Sequence, residues 1–176
     1  MTRWFSALMF FACWLGPASA SNDAMIAAAL ADATRTFNAA RSGLGSETLG
    51  VSSQSYSDAL TRYGFTSAHW GKPLLVELVT RAETSGSCGR FAAYVSPAPA
   101  EGVVRLVLCP QFFTEGADAL RELTVLHEMV HVVAGPDECL AMAYAARVQM
   151  LAHGRFTPVD AYWAASGCAG SPYRLP

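Results

Sequence analysis

The sequence predicts an α+β domain: a small antiparallel sheet, a helix carrying His127-Glu128-Met129-Val130-His131, and a second helix antiparallel to it. Three observations predict this. Residues 117–134 contain neither Gly nor Pro and hold an H-E-x-x-H pentapeptide. Three strand-like runs precede it, residues 74–80 (LLVELVT), 91–96 (FAAYVS) and 103–109 (VVRLVLC), separated by turn-rich stretches. After it Gly135-Pro136 stops the helix, and Asp137 can cap a second one running to about residue 152.

The chain has 176 residues, 52% of them hydrophobic, which suits one domain with a proper core over residues 21–176. Residues 1–20 read as a signal peptide. Arg3 gives a positive start, residues 4–15 form an apolar run, and Ala18-Ser19-Ala20 supplies a cleavage site, so the mature chain is expected to begin at Ser21. The run is too short for a membrane span, and no membrane anchor is expected after its removal. A secreted or periplasmic protein follows. Without Arg3 the chain keeps 11 basic and 14 acidic residues, a formal charge of −3. Lys72 is the only lysine and there is no basic stripe, so nucleic acid is not an expected partner. A monomer is expected.

Export leaves four cysteines, Cys88, Cys109, Cys139 and Cys168. An even number in an exported chain reads as two disulfides with three possible pairings. The favoured pairing is Cys88–Cys109, tying two neighbouring strands, with Cys139–Cys168, tying the helix after the motif to the C-terminal tail. No C-x-x-C spacing supports a cysteine-ligated metal instead.

In chain order, Asn22-Asp23 offers a cap, and Met25, Ile26, Leu30 and Phe37 make an amphipathic helix to about residue 41, broken by residues 42–46. Residues 46–73 are Ser/Thr/Gly-rich, with a short helix expected near residues 57–63. His69-Trp70 reads as a surface or half-buried pair, with substrate binding as the rival role for His69. The three strand runs then suggest an antiparallel meander. Pro110-Gln111-Phe112-Phe113 leaves the sheet, and residues 114–118 enter the motif helix.

Residues four apart share one helix face, so His127 and His131 can present imidazole nitrogens to one divalent ion. Glu128 can then reach a water at that ion and act as general base. The bland alternative is a pair of packing or capping histidines. It would place two imidazoles and a carboxylate without partners on an otherwise apolar helix, which is costly. Chance alone gives the pentapeptide in roughly one chain of this size in a few hundred.

A catalytic zinc takes three protein ligands and one open position. The downstream candidates are Asp137, Glu138, His153 and Asp160. A short connection lays the second helix antiparallel to the first, which brings its first turn near His131. Glu138 lies in that turn, with Ala141 and Ala145 as small residues on its face. His153 lies at the far end, about 22 Å away along the helix. Glu138 is therefore the expected third ligand, and Asp137, whose capping role already explains it, is the alternative.

Residues 106–168 resemble the deuterolysin and peptidyl-Lys metalloendopeptidase group, the aspzincins. The likeness is carried by Cys109-Pro110-Gln111-Phe112, by His127 to His131, by Gly135-Pro136-Asp137-Glu138 and by Asp160-Ala161-Tyr162. It implies a zincin-like fold, bound Zn2+, peptide hydrolysis, ligands His127 and His131, Glu128 as base, and Glu138 in place of the group's ligand Asp. Two departures stand out. The connection after His131 is shorter, and Ala141 replaces the group's tyrosine, leaving Tyr144 as a substitute transition-state stabiliser or a packed aromatic. A Glu third ligand also looks like the small gluzincins.

The expected function is thus a zinc metallopeptidase acting on a peptide or protein substrate, cell-wall peptides included. Its rivals are an inactive binding protein of the same fold and a structural domain with an accidental motif. Residues 42–73 are the expected source of specificity.

Overall fold

The computed structural model describes residues 18–176, and side chains from residue 21 onward. The expected signal segment therefore lies outside the described residues, apart from the backbone of its last three. Helix α1 (Ala18–Leu44) buries a stripe of Ala29, Ala33, Phe37, Ala40 and Leu44, spaced three and four apart, against the helices that follow. It runs through Ser42-Gly43 rather than breaking there. A Cβ at Gly43 would lie 2.8 Å from Leu151 Cδ2, so the half-exposed leucine side chain would have to turn aside. Gly45, with φ +64°, ends the helix.

Strands β1 (Glu47–Thr48) and β2 (Val51–Ser52) pair across Leu49 and Gly50, both at positive φ as a primed hairpin turn requires. Helix α2 (Ser53–Leu60) starts four residues earlier than its expected position. The Ser52 hydroxyl accepts from Ser55 N at 3.3 Å and supplies the cap that the serine-rich run conceals. Tyr56 on α2 is fully buried and donates its hydroxyl to the Leu126 carbonyl at 2.6 Å.

The sheet differs from the expected meander. Strands β3 (Phe65–Ser67), β4 (Lys72–Thr80), β5 (Ala93–Val95) and β6 (Val103–Leu108) lie in the order β3-β4-β6-β5. Pairing is antiparallel for β3 with β4 and for β5 with β6, but parallel for β4 with β6. The chain leaves β4 through a 3-10 turn, Gly86–Gly89, and takes the outer position first. Val103–Leu108 then enters between β5 and β4, where only a parallel match to β4 remains. Composition fits those places. The near-continuous apolar run of β6 buries Val104, Leu106, Val107 and Leu108, as an internal strand needs, whereas three-residue β5 forms an edge.

Helix α3 (Asp118–Ala134) lies against β5 and β6, and α4 (Glu138–His153) packs on α1 and α3. The two disulfides pair as expected, with Cα–Cα distances of 5.2 Å for Cys88–Cys109 and 5.4 Å for Cys139–Cys168. The first joins the 3-10 turn, not a strand, to the residue after β6. The second joins the start of α4 to the segment after α5 (Asp160–Ala165), a short helix not anticipated. The architecture is α+β, with a two-stranded antiparallel hairpin and a four-stranded mixed sheet. Among the described residues, no helix is long and apolar enough to cross a membrane.

Candidate metal centre

Helix α3 is fixed at both ends. Near its start, buried Arg121 pairs with Asp118 and donates to the Thr114 carbonyl at 2.6 Å. At its end, carbonyls left free by the helix are capped from the 65–70 segment. Ser67 Oγ donates to Val133 O at 2.8 Å and Trp70 Nε1 donates to Val132 O at 2.8 Å. From residues 42–73, Ser67 and Trp70 thus hold the end of the helix that bears the motif, and Trp70 also lines a cleft beside the cluster.

Gly135 follows with φ +93° and ψ −168°, backbone that only glycine adopts readily. Its Cα lies against the exposed His69 ring, which would be 2.4 Å from any Cβ there. The Gly135 carbonyl accepts from His131 Nδ1 at 2.9 Å. A carbonyl cannot donate, so Nδ1 carries the proton, and in the neutral ring Nε2 is a bare lone pair.

Asp137 caps α4, accepting from Cys139 N at 2.9 Å and Leu140 N at 3.0 Å. Its carboxylate is therefore spent on the helix. Glu138, one residue on, turns toward α3. Its Oε2 lies 3.1 Å from His127 Nε2 and 3.6 Å from His131 Nε2, and the two Nε2 atoms are 3.1 Å apart. At the other end of the pair, Gln149 reaches Glu122 at 3.3 Å, so α3 and α4 are antiparallel as expected.

The two Nε2 atoms can approach this closely only with a proton or a cation between them. A tetrahedral ion with bonds of 2.0–2.1 Å separates its ligands by about 3.3–3.4 Å, close to the 3.1, 3.1 and 3.6 Å found here. His127, His131 and Glu138 could therefore hold a metal ion. In the ion's absence, burial works to raise Glu138, but hydrogen bonds from His127 and His131 hold its carboxyl well below the usual range. Burial alone would lower His131, yet its bond to Glu138, the charge of Glu128 and the Gly135 carbonyl lift it above its ordinary value.

Glu128 is 7% exposed, and its Oε2 has no hydrogen-bond partner among the described residues. Burial raises its pKa against the pull of both histidines, and Glu138 adds to the rise. A buried carboxylate without a partner costs stability, and such a group is expected where a ligand will meet it.

The other candidates are elsewhere. Tyr144 is fully buried in the core, its ring 5.0 Å from that of Tyr56, and it lines neither cleft beside the cluster. His153 pairs with Thr36 Oγ1 at 3.1 Å at the far end of α4, and Asp160 is exposed on α5. Tyr162 is the residue that site reasoning from sequence missed. Its hydroxyl donates to Glu138 Oε2 at 3.1 Å, and its ring centroid is 6.1 Å from that of His127. Burial, then the nearby Glu138, push its pKa up, so it remains a neutral donor. The available signals were its place in the matched Asp160-Ala161-Tyr162 segment and Cys168, whose bond to Cys139 carries this tyrosine back to the residue beside Glu138.

Strand β5 borders the cluster. Cys109 N donates to Ala92 O and Ser96 N donates to Arg105 O, both at 2.9 Å. Alternation then turns the N–H and C=O of Ala93 and Val95 away from β6, onto the free edge. Strand β6 is internal, so the edge beside the cluster belongs to β5. Two clefts meet at the cluster. One of about 130 Å³ lies between Trp70, Tyr94, Val95 and Pro136, and one of about 360 Å³ lies on the side of Leu123 and Val159.

No family model matches this chain, and no curated protein or solved structure is significantly similar to it. The likeness to the deuterolysin group rests on the matched residues alone.

Proposed function

We propose that this protein is an exported zinc-dependent hydrolase of peptide bonds. The observation that carries the reading is the convergence of His127, His131 and Glu138 on one point beside the unpartnered Glu128 carboxylate, in a cleft along an open strand edge. Two nitrogens and one carboxylate, with room for a fourth group, form the donor set of a catalytic zinc. A zinc ion bound there would polarise a carbonyl and acidify a water.

The chain's own groups do the rest. An extended peptide pairs with the outward N–H and C=O groups of Ala93 and Val95, which fixes the scissile bond beside the cluster. Glu128, raised by burial and facing no other partner, takes the proton of the attacking water and returns it to the departing nitrogen. Tyr162 shifts its hydroxyl from Glu138 to the oxyanion that develops on the carbonyl oxygen. Two disulfides suit an extracytoplasmic compartment.

The test pairs metal analysis with a digest of a broad peptide library. The purified chain should hold one equivalent of zinc, cleave peptides and lose activity to a chelator. Glu128→Gln should keep the zinc and lose about 10²–10⁴-fold in turnover. Full activity in Glu128→Gln, or no zinc bound at equimolar concentration, refutes the proposal. Zinc bound without cleavage of any peptide reduces it to a metal-binding protein.

A further inference from the structure

The larger cleft opens onto the reacting centre and is built differently from the smaller one. One face of α3 runs Leu120, Leu123, Thr124, His127, Glu128, so its first half is apolar and its second half carries the chemistry. Met142 of α4 and the Pro158-Val159 segment before α5 close the apolar half. The cluster's own His127 and Glu128 line the cleft too, as does Arg90, whose guanidinium lies over the Phe91 ring at 5.2 Å. Apart from Glu128, no carboxylate lines the cavity, so a lysine or arginine side chain entering it would lose water without gaining a partner. At about 360 Å³ the cavity has space for a leucine, methionine or phenylalanine side chain.

The strand edge sets which substrate residue reaches it. Antiparallel pairing is the more stable choice, and it runs a substrate from Val95 toward Ala93. The substrate's N-terminal half then lies in the smaller cleft beside Ser96 and Pro97, and its C-terminal half turns toward Phe91 and the apolar cavity.

Building on the hydrolase reading, we infer that this cavity selects peptides with a large apolar side chain on the residue immediately after the scissile bond. Leu120, Leu123, Met142 and Val159 are the specificity-determining residues.

The zinc-loaded protein is tested on peptides that vary only at that residue. Leucine, methionine or phenylalanine should exceed alanine by roughly 10- to 100-fold in kcat/KM and exceed lysine and aspartate by more. Val159→Phe fills a half-buried wall and should move the preference toward alanine. Thr124→Glu, at a half-buried position one helical turn before Glu128, should raise cleavage before lysine. Retained zinc confirms that each variant has folded. Cleavage with no preference, with preference for a charged residue there, or with preference only before the bond overturns the inference and leaves the hydrolase standing. No cleavage at all overturns both.

Discussion

The Cys139–Cys168 bond gives a quantitative test of how the site is assembled. It closes a loop with a sequence separation of 29, and that loop contains Tyr162. Chain-entropy arguments assign such a loop about 3.6 kcal/mol of stabilisation, against about 3.3 kcal/mol for the separation of 21 closed by Cys88–Cys109. Similar stabilities hide different duties. Helix α5 has no buried residue, so the bond and the fully buried Cys168 hold it in place. The three residues that could hold a metal ion, by contrast, stand on α3 and α4. Cys139→Ala, Cys168→Ala and the double variant should each lose close to 3.6 kcal/mol in urea unfolding at unchanged m. Each single change already breaks the bond, so the double should cost little more than either. Zinc affinity should stay within a few-fold of the parent, while kcat/KM falls toward the level of a Tyr162 variant. A loss under about 1 kcal/mol with unchanged kcat/KM would refute the reasoning, since other contacts would then hold the tail.

Three further outcomes are expected. Tyr162→Phe should lower kcat by about 10²–10³-fold with little change in KM or zinc content, and an unchanged kcat removes it from the mechanism. Gly135→Ala should weaken zinc binding about 10- to 100-fold in a chelator competition, because the carbonyl that orients His131 moves. His69→Ala should not rescue that variant, because φ +93° excludes a side chain whether or not the His69 ring is there. Zinc affinity should also depend on pH. A ligand imidazole must be neutral, and His131 is raised above its ordinary value, so protons compete from above pH 6.5 downward. Affinity should be flat at higher pH and fall about tenfold per unit for each proton displaced as pH drops through that value; a flat profile down to pH 6 contradicts the assignment.

What could be read from the sequence was what short-range physics decides. The i, i+4 spacing of His127 and His131, the helix stop at Gly135-Pro136 and the capping carboxylate of Asp137 are settled within one or two helical turns, and the structure matches them. The disulfide pairs were legible because neighbouring segments in a small domain restrict the choice. The sheet was not. Each strand run marks a strand, although residues 91–96 pair only over Ala93–Val95, but nothing in residues 74–80 says whether residues 103–109 will lie parallel beside them or two places away. That choice is made by the turn and the disulfide between them, which carry β5 past the position β6 will fill. Tyr162 was hidden for a related reason: the contact spans 24 residues and depends on a covalent tie elsewhere.

The choice between Asp137 and Glu138 turns on where a helix begins. A capping side chain must fold back over the first turn to meet the N–H groups of the next residues, and the Asp137 carboxylate accepts two of them. The next residue is the first whose side chain is free to leave the helix, and on α4 it leaves toward α3. That side chain must cross the gap between two helices to reach nitrogens set by a different element, and glutamate has the additional methylene. A shorter carboxylate at 138 would need the helices closer, and Ala141, already without exposed surface, leaves little space to remove. The glutamate at this position is thus a consequence of the short Gly135-Pro136-Asp137 connection. That connection places α4 against α3 one residue too late for the capping carboxylate to turn toward His127 and His131.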